Sequence, residues 1–121
     1  MKTQSAKAKG RRLQQWVRDL LIEKLDVHPE DVESRSMGAG GEDLIMARAA
    51  REKFPYSVEC KNQEKLNIWK ALEQSRNDAP RGKTPLVVFT KNFQLDYCAI
   101  EFNDFINILL ELEEFRNQKN L

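Results

Sequence analysis

The chain has 121 residues, 40% of them hydrophobic and 32% charged, which is the size and make-up of one soluble domain with a heavily charged surface. No apolar run approaches the ~20 residues of a membrane span, and Met1 to Gly10 is basic and polar, without the apolar core of a secretory signal. The net charge of +1 conceals a pattern: residues 1–24 carry seven Lys/Arg against two Asp/Glu and 60–91 seven against three, while 25–59 carry four against eight and 92–121 two against six. Basic blocks that flank an acidic centre fit a polyanion held beside a metal-binding site, or simply solvated helix faces.

Residues 1–8 read as a basic, disordered tail, residues 9–116 as a single folded domain and 117–121 as a flexible end. From Lys9 to Leu25 the period is helical: Leu13, Trp16, Val17, Leu20 and Leu21 form one apolar stripe, with Arg11, Gln14, Gln15 and Arg18 opposite. Val27 to Glu30 is a turn around Pro29, and Asp31 to Ser36 a short strand. Met37 to Gly41 is a Gly-rich loop. Glu42 to Ala47 is a strand, and Arg48 to Phe54 a helical turn closed by Pro55. Tyr56 to Lys61 alternates, with Tyr56, Val58 and Cys60 pointing one way and Ser57, Glu59 and Lys61 the other.

Asn67 to Asn77 reads as a helix with Ile68, Ala71, Leu72 and Ser75 inward and a polar stripe of Asn67, Lys70 and Gln74. Asp78 to Thr84 is a loop. Pro85 to Thr90 is apolar enough for a strand buried on both faces. Leu95 to Glu101 is another strand after a turn at Lys91-Asn92. Asn103 or Asp104 can cap a last helix from Phe105 to about Phe115. The apolar residues of that helix cover more than one face, and the surplus points to a second contact such as a dimer partner. The order is α-β-β-β-α-β-β-α, an α/β domain with a mixed sheet. Trp16 and Cys98 belong to the core on this reading, Trp69 lies beside the inward face as core edge, dimer contact or DNA-stacking residue, with packing favoured, and His28 is a surface residue. Isolated Cys60 and Cys98 make neither a zinc site nor a disulfide framework and fit a reducing cytoplasm.

The residues that carry chemistry are Asp43 and the triplet Glu59-Cys60-Lys61. Glu59 and Lys61 are two apart on a strand and share a face. Neighbouring strands lie ~4.8 Å apart, so an Asp on the next strand can approach Glu59. Two carboxylates with nearby carbonyls suit Mg²⁺ or Mn²⁺, and an adjacent Lys can orient a water and offset phosphate charge. Taken alone, Glu-x-Lys on a strand also describes an ordinary solvated face.

Gly41-Glu42-Asp43 followed by Val58-Glu59-Cys60-Lys61 resembles the signature of the PD-(D/E)-x-K nuclease superfamily. Lys9-Gly10 at the first helix, the Gly-rich approach to Asp43 and the Glu-Cys-Lys triplet are similar to archaeal-type Holliday junction resolvases and related small phage endonucleases. The resemblance implies a restriction-endonuclease-like fold, a central mixed β-sheet flanked by helices. It implies that Asp43 and Glu59 hold Mg²⁺ (or Mn²⁺), with the Cys60 carbonyl as a third ligand. It makes Lys61 the catalytic lysine, Gln74 its support, and Ser36 the match to a serine near the scissile phosphate. The resolvases carry a catalytic Glu in the first helix; here the region reads Leu13-Gln14-Gln15, and uncharged Gln14 favours a single firmly held ion.

The function implied is metal-dependent hydrolysis of DNA at a four-way or branched junction by a homodimer, in the cytoplasm of a prokaryotic or phage-infected cell. The alternatives are a phage nickase or flap nuclease without four-way specificity, and a non-catalytic DNA-binding module of the same fold. Arg11, Arg12, Arg18, Lys65, Lys70, Arg81 and Lys83 are the candidate phosphate contacts.

Overall fold

The computed structural model describes residues 4–35 and 40–120. Helix α1 spans Gln4–Leu25, a 3₁₀ turn covers Pro29–Asp31, and strands β1 (Val32–Ser34) and β2 (Leu44–Met46) form an antiparallel hairpin. Helix α2 (Arg48–Lys53) leads to β3 (Tyr56–Asn62), α3 (Ile68–Asp78), β4 (Thr84–Thr90), β5 (Tyr97–Ala99) and α4 (Phe102–Lys119). The class is α/β, as the sequence predicts. No described helix is long and apolar enough to cross a membrane.

Pairing corrects the expectation of one central sheet. The β1–β2 hairpin is a sheet of its own; β3, β4 and β5 form a second, with β3–β4 parallel and β4–β5 antiparallel. The two meet where Asp43 N–H donates to the Val58 carbonyl at 3.0 Å. The order also gains α2, a six-residue helix that the sequence suggests only as a turn.

Leu13, Val17 and Leu21 of α1 pack with Val27, Val32, Leu44, Met46, Ala50, Val58 and Cys60 into one core. Asn62 Nδ2 donates to the Lys9 carbonyl and Lys53 Nζ to that of Asp26, so α1 runs antiparallel to β3. Helix α3 covers the opposite face of the sheet, burying Ala71 and Ser75, and Ser75 Oγ donates to the Leu86 carbonyl. Its first turn is capped by the Asn67 side chain, which accepts from the Lys70 N–H at 3.2 Å.

Several local expectations change. Helix α1 begins at Gln4, inside the stretch expected as a tail, because Ala, Lys and Gln favour helix. Trp16 is 42% exposed: Leu13, Val17 and Leu21 fill the core stripe and leave Trp16 at its margin. Trp69 is exposed on the outer side of α3, and Cys98 is exposed on β5. Strand β4 buries only Val87, since one of its faces lacks a tightly packed helix. Helix α4 starts earlier than expected, at Phe102, with Glu101 at its cap and no side-chain cap bond; Asp104 lies in its first turn.

Candidate functional site

The expected alternation of β3 holds. Val58 and Cys60 enter the core beneath α1, while Glu59 and Lys61 face α3. There Gln74 joins them: its Nε2 donates to Glu59 Oε1 at 2.9 Å, and its Oε1 accepts from Lys61 Nζ at 2.9 Å. Lys61 Nζ stands 3.9 Å from Glu59 Oε1. The amide therefore bridges the two charges and fixes both rotamers.

Asp43 reaches the same place from the other edge of β3. Its N–H bonds the Val58 carbonyl, and its Oδ2 accepts from the Cys60 N–H at 2.6 Å. These bonds bracket Glu59, so residues sixteen apart in sequence become neighbours. Four of the predicted site residues, Asp43, Glu59, Lys61 and Gln74, are brought together.

The segment before Asp43 is braced. Glu42 is buried and forms an ion pair with Arg51 of α2, and Arg35 Nε donates to the Glu42 carbonyl at 2.5 Å. Gly41 has φ +91°, and a Cβ there would lie 3.4 Å from the Arg35 guanidinium. Glycine suits that backbone, which L side chains rarely adopt. Removing Arg51 leaves Glu42 a buried, uncompensated charge.

Glu59 is the electrostatic centre. It is 97% buried by area and its Oε2 has no hydrogen-bond donor. Burial pushes its pKa up to about 8; the carboxylate of Asp43 adds to the rise, Lys61 opposes it, and Asp78 adds again. Asp78, at the end of α3, is a carboxyl too, so a hydrogen bond between it and Glu59 needs a proton on one of them. A divalent cation relieves the same repulsion without that proton. An orphaned, buried carboxylate oxygen beside a second carboxylate is thus a donor set that fits a hard cation. Among the described residues no three His, Cys, Asp or Glu side chains form a metal cage. The set is open, the usual condition for an ion that keeps several waters or takes substrate phosphate oxygens. The Cys60 thiol lies in the core and burial raises its pKa, so only its carbonyl suits a hard cation.

Asp78 is the residue that sequence reading missed. The signal lay in its spacing, four residues after Gln74, which puts both on one face of α3. Other expectations divide. Ser36 lies outside the described residues. Gln14 is buried and accepts from Ser34 Oγ at 2.6 Å, which ties α1 to β1. Arg18 departs from its expected role: Nε donates to the Val32 carbonyl at 2.8 Å and Nη2 to that of Pro29 at 2.9 Å, so it holds α1 to the hairpin. Arg11, Arg12, Lys65, Lys70 and Arg81 are exposed and Lys83 half-buried. Antiparallel α1 and α3 put Arg11, Arg12, Lys65 and Lys70 toward the Lys61 end of β3, whereas Arg81 and Lys83 sit at the Tyr56 end.

No curated protein and no solved structure matches the chain. A family model described as "Phage putative PDDEXK endonuclease" matches residues 5–119, almost the whole chain and every element from α1 to α4. With Glu59 and Lys61 on β3, Gln74 on α3 and Asp43 brought against them from the start of β2, the chain belongs to this family of phage endonucleases of the PD-(D/E)-x-K superfamily.

Proposed function

We propose that the chain is a Mg²⁺- or Mn²⁺-dependent endonuclease that cuts branched DNA as a homodimer, with the four-way junction as its substrate. The family supplies the nuclease chemistry, and nucleases of this superfamily use divalent metals. The observation that carries the reading to particular residues is the donorless Oε2 of buried Glu59, bracketed by Asp43 and clamped by Gln74 to Lys61.

On this reading Asp43, Glu59 and the Cys60 carbonyl would hold the ion, which when bound polarises the scissile phosphate and lowers the pKa of a water. Lys61 does the work nearest the phosphorus. Its Nζ, held by Gln74 Oε1, orients the attacking water and offsets the charge that builds on the non-bridging oxygens. Gln74 keeps Lys61 from collapsing into a tight pair with Glu59, leaving the 3.9 Å separation. Arg11, Arg12, Lys65 and Lys70 would contact phosphates on the near side of the site and fix register without reading bases. Ser36 is a further candidate beside the scissile phosphate, and the compartment is the cytoplasm of a phage-infected cell.

Resolution of a four-way junction takes two symmetric cuts, so this reading requires a homodimer with paired sites related by a two-fold axis. The test is one gel. The protein is incubated with Mg²⁺ or Mn²⁺ and a labelled four-way junction, beside a fork, a plain duplex and a single strand, with Glu59→Ala as control. Paired symmetric cuts confined to the junction are expected. Cutting of every substrate would leave a nickase or flap nuclease; binding without cleavage under either metal would leave a DNA-binding module.

A further inference from the structure

Helix α4 is inside out. Asp104, Asn107, Ile108 and Glu111 turn toward the body, where they line a shallow hollow with Tyr56 and Thr84. Burial raises the pKa of the Tyr56 phenol, and the carboxylates of Glu111 and Asp104 add to the rise. The opposite face carries Phe102, Phe105, Ile106, Leu109 and Leu112, spaced i, i+3, i+4, i+7 and i+10, all exposed and flanked by exposed Leu110 and Phe115. No residue of α4 is buried. Seven exposed large side chains present on the order of 600 Å² of apolar surface, at the upper end of what monomers expose and approaching the ~800 Å² per partner of a standard interface.

The charge of the helix selects what covers it. Asp104, Glu111, Glu113 and Glu114 outnumber Arg116 and Lys119, which disfavours DNA and anionic membrane surfaces. The acid at its cap, Glu101, lies at one end, and the two bases of its last turn, Arg116 and Lys119, at the other. Two antiparallel copies match these ends, base against acid. Parallel copies would set like against like.

We propose that α4 is the self-association surface of this protein: two chains pair through antiparallel α4 helices about a two-fold axis near Leu109. The interface deepens the junction-cutting reading above, which needs two sites, but its own evidence is independent of cleavage. An isologous two-fold contact uses one patch twice, so a single self-complementary stripe suffices.

The test is sedimentation of the full chain at micromolar concentration. Wild type is expected at the mass of two chains and Leu109→Glu at the mass of one, a two-fold drop, with unchanged circular dichroism because Leu109 is exposed on a helix that buries no residue. Orientation is read in a Cys98→Ser background, where Phe102→Cys mixed with Arg116→Cys forms a crosslinked dimer of the two variants. A monomeric wild type, a dimer indifferent to Leu109→Glu, or a Phe102→Cys chain that crosslinks only to itself overturns the proposal. Should Leu109→Glu fail to fold, Leu109→Gln and Ile106→Gln repeat the measurement. Junction cleavage is run on the same samples: a monomeric variant that still nicks but loses paired cuts supports both readings. A dimer that cuts nothing keeps this interface and ends the nuclease reading.

Discussion

Helices α1 and α4 are the two long helices of the described chain, and they treat water in opposite ways. Helix α1 buries Leu13, Val17 and Leu21 in the core and leaves its charged residues outside. Helix α4 turns acids and an amide toward the body and holds its aromatic and aliphatic residues outward. Both are amphipathic, so periodicity alone does not say which face is inside. The lesson is that an apolar stripe marks a contact without saying whether the contact is internal. The catalytic candidates sit on the α1 side of this division in every sense that matters: β3 is fixed between α1 and α3, and Asp43 arrives on a hairpin packed against α1.

The comparison breaks most sharply at the site. Lys61→Ala or Glu59→Ala is expected to lower cleavage by about 10³-fold or more while DNA binding persists, measured by single-turnover assay beside a gel shift. A comparable loss on Leu109→Ala would place α4 in the chemistry and erase the division. Next comes the brace: Arg51→Ala strands the buried Glu42 carboxylate and should cost about 3–5 kcal/mol in urea unfolding. Leu21→Ala follows, at about 2–5 kcal/mol for a cavity in the core. Leu109→Ala, by contrast, should cost under about 1 kcal/mol when unfolding is extrapolated to low protein concentration, and more as concentration rises. Equal costs for Leu21→Ala and Leu109→Ala at high dilution would refute the contrast between the helices.

The last test is of pH. Burial pushes the Glu59 carboxyl up to about 8 in the folded chain, against 4.5 for an ordinary glutamate, so the folded state binds the extra proton between those limits. Stability from this group is therefore fully present below about pH 4.5 and lost as pH rises through about 8. In chelator, the melting temperature should fall by about 10 °C from pH 5.5 to pH 8.5, and Glu59→Gln should flatten the slope. Added Mn²⁺ should raise the melting temperature most at the alkaline end, because the ion competes with the proton for the same oxygens.

Most of the site was legible because its residues are close in sequence or obey a fixed period. Glu59 and Lys61 share a face by the two-residue repeat of a strand, and Gln74 falls on the polar stripe of a helix. Asp43 could be named from the Gly-Glu-Asp motif, though only pairing shows that its bonds to Val58 and Cys60 bracket Glu59. Asp78 escaped because it ends a helix that Pro80 seemed to stop one residue earlier. Arg18 looked like any exposed arginine on a basic helix; its bonds go to carbonyls eleven and fourteen residues away, which no local pattern reveals.

By itself the sequence determined most of the elements, though not α2 or the start of α1, together with the alternation of β3, the nuclease motif and the excess of apolar residues on the last helix. Those follow from short-range geometry, repeat periods and side-chain chemistry, all written locally in the chain. Tertiary structure alone decided the split of the strands into two sheets, the burial that leaves Glu59 Oε2 without a donor, and the outward turn of the α4 stripe. Each depends on which distant surface removes water from a group, and desolvation belongs to the packed whole rather than to any stretch of residues.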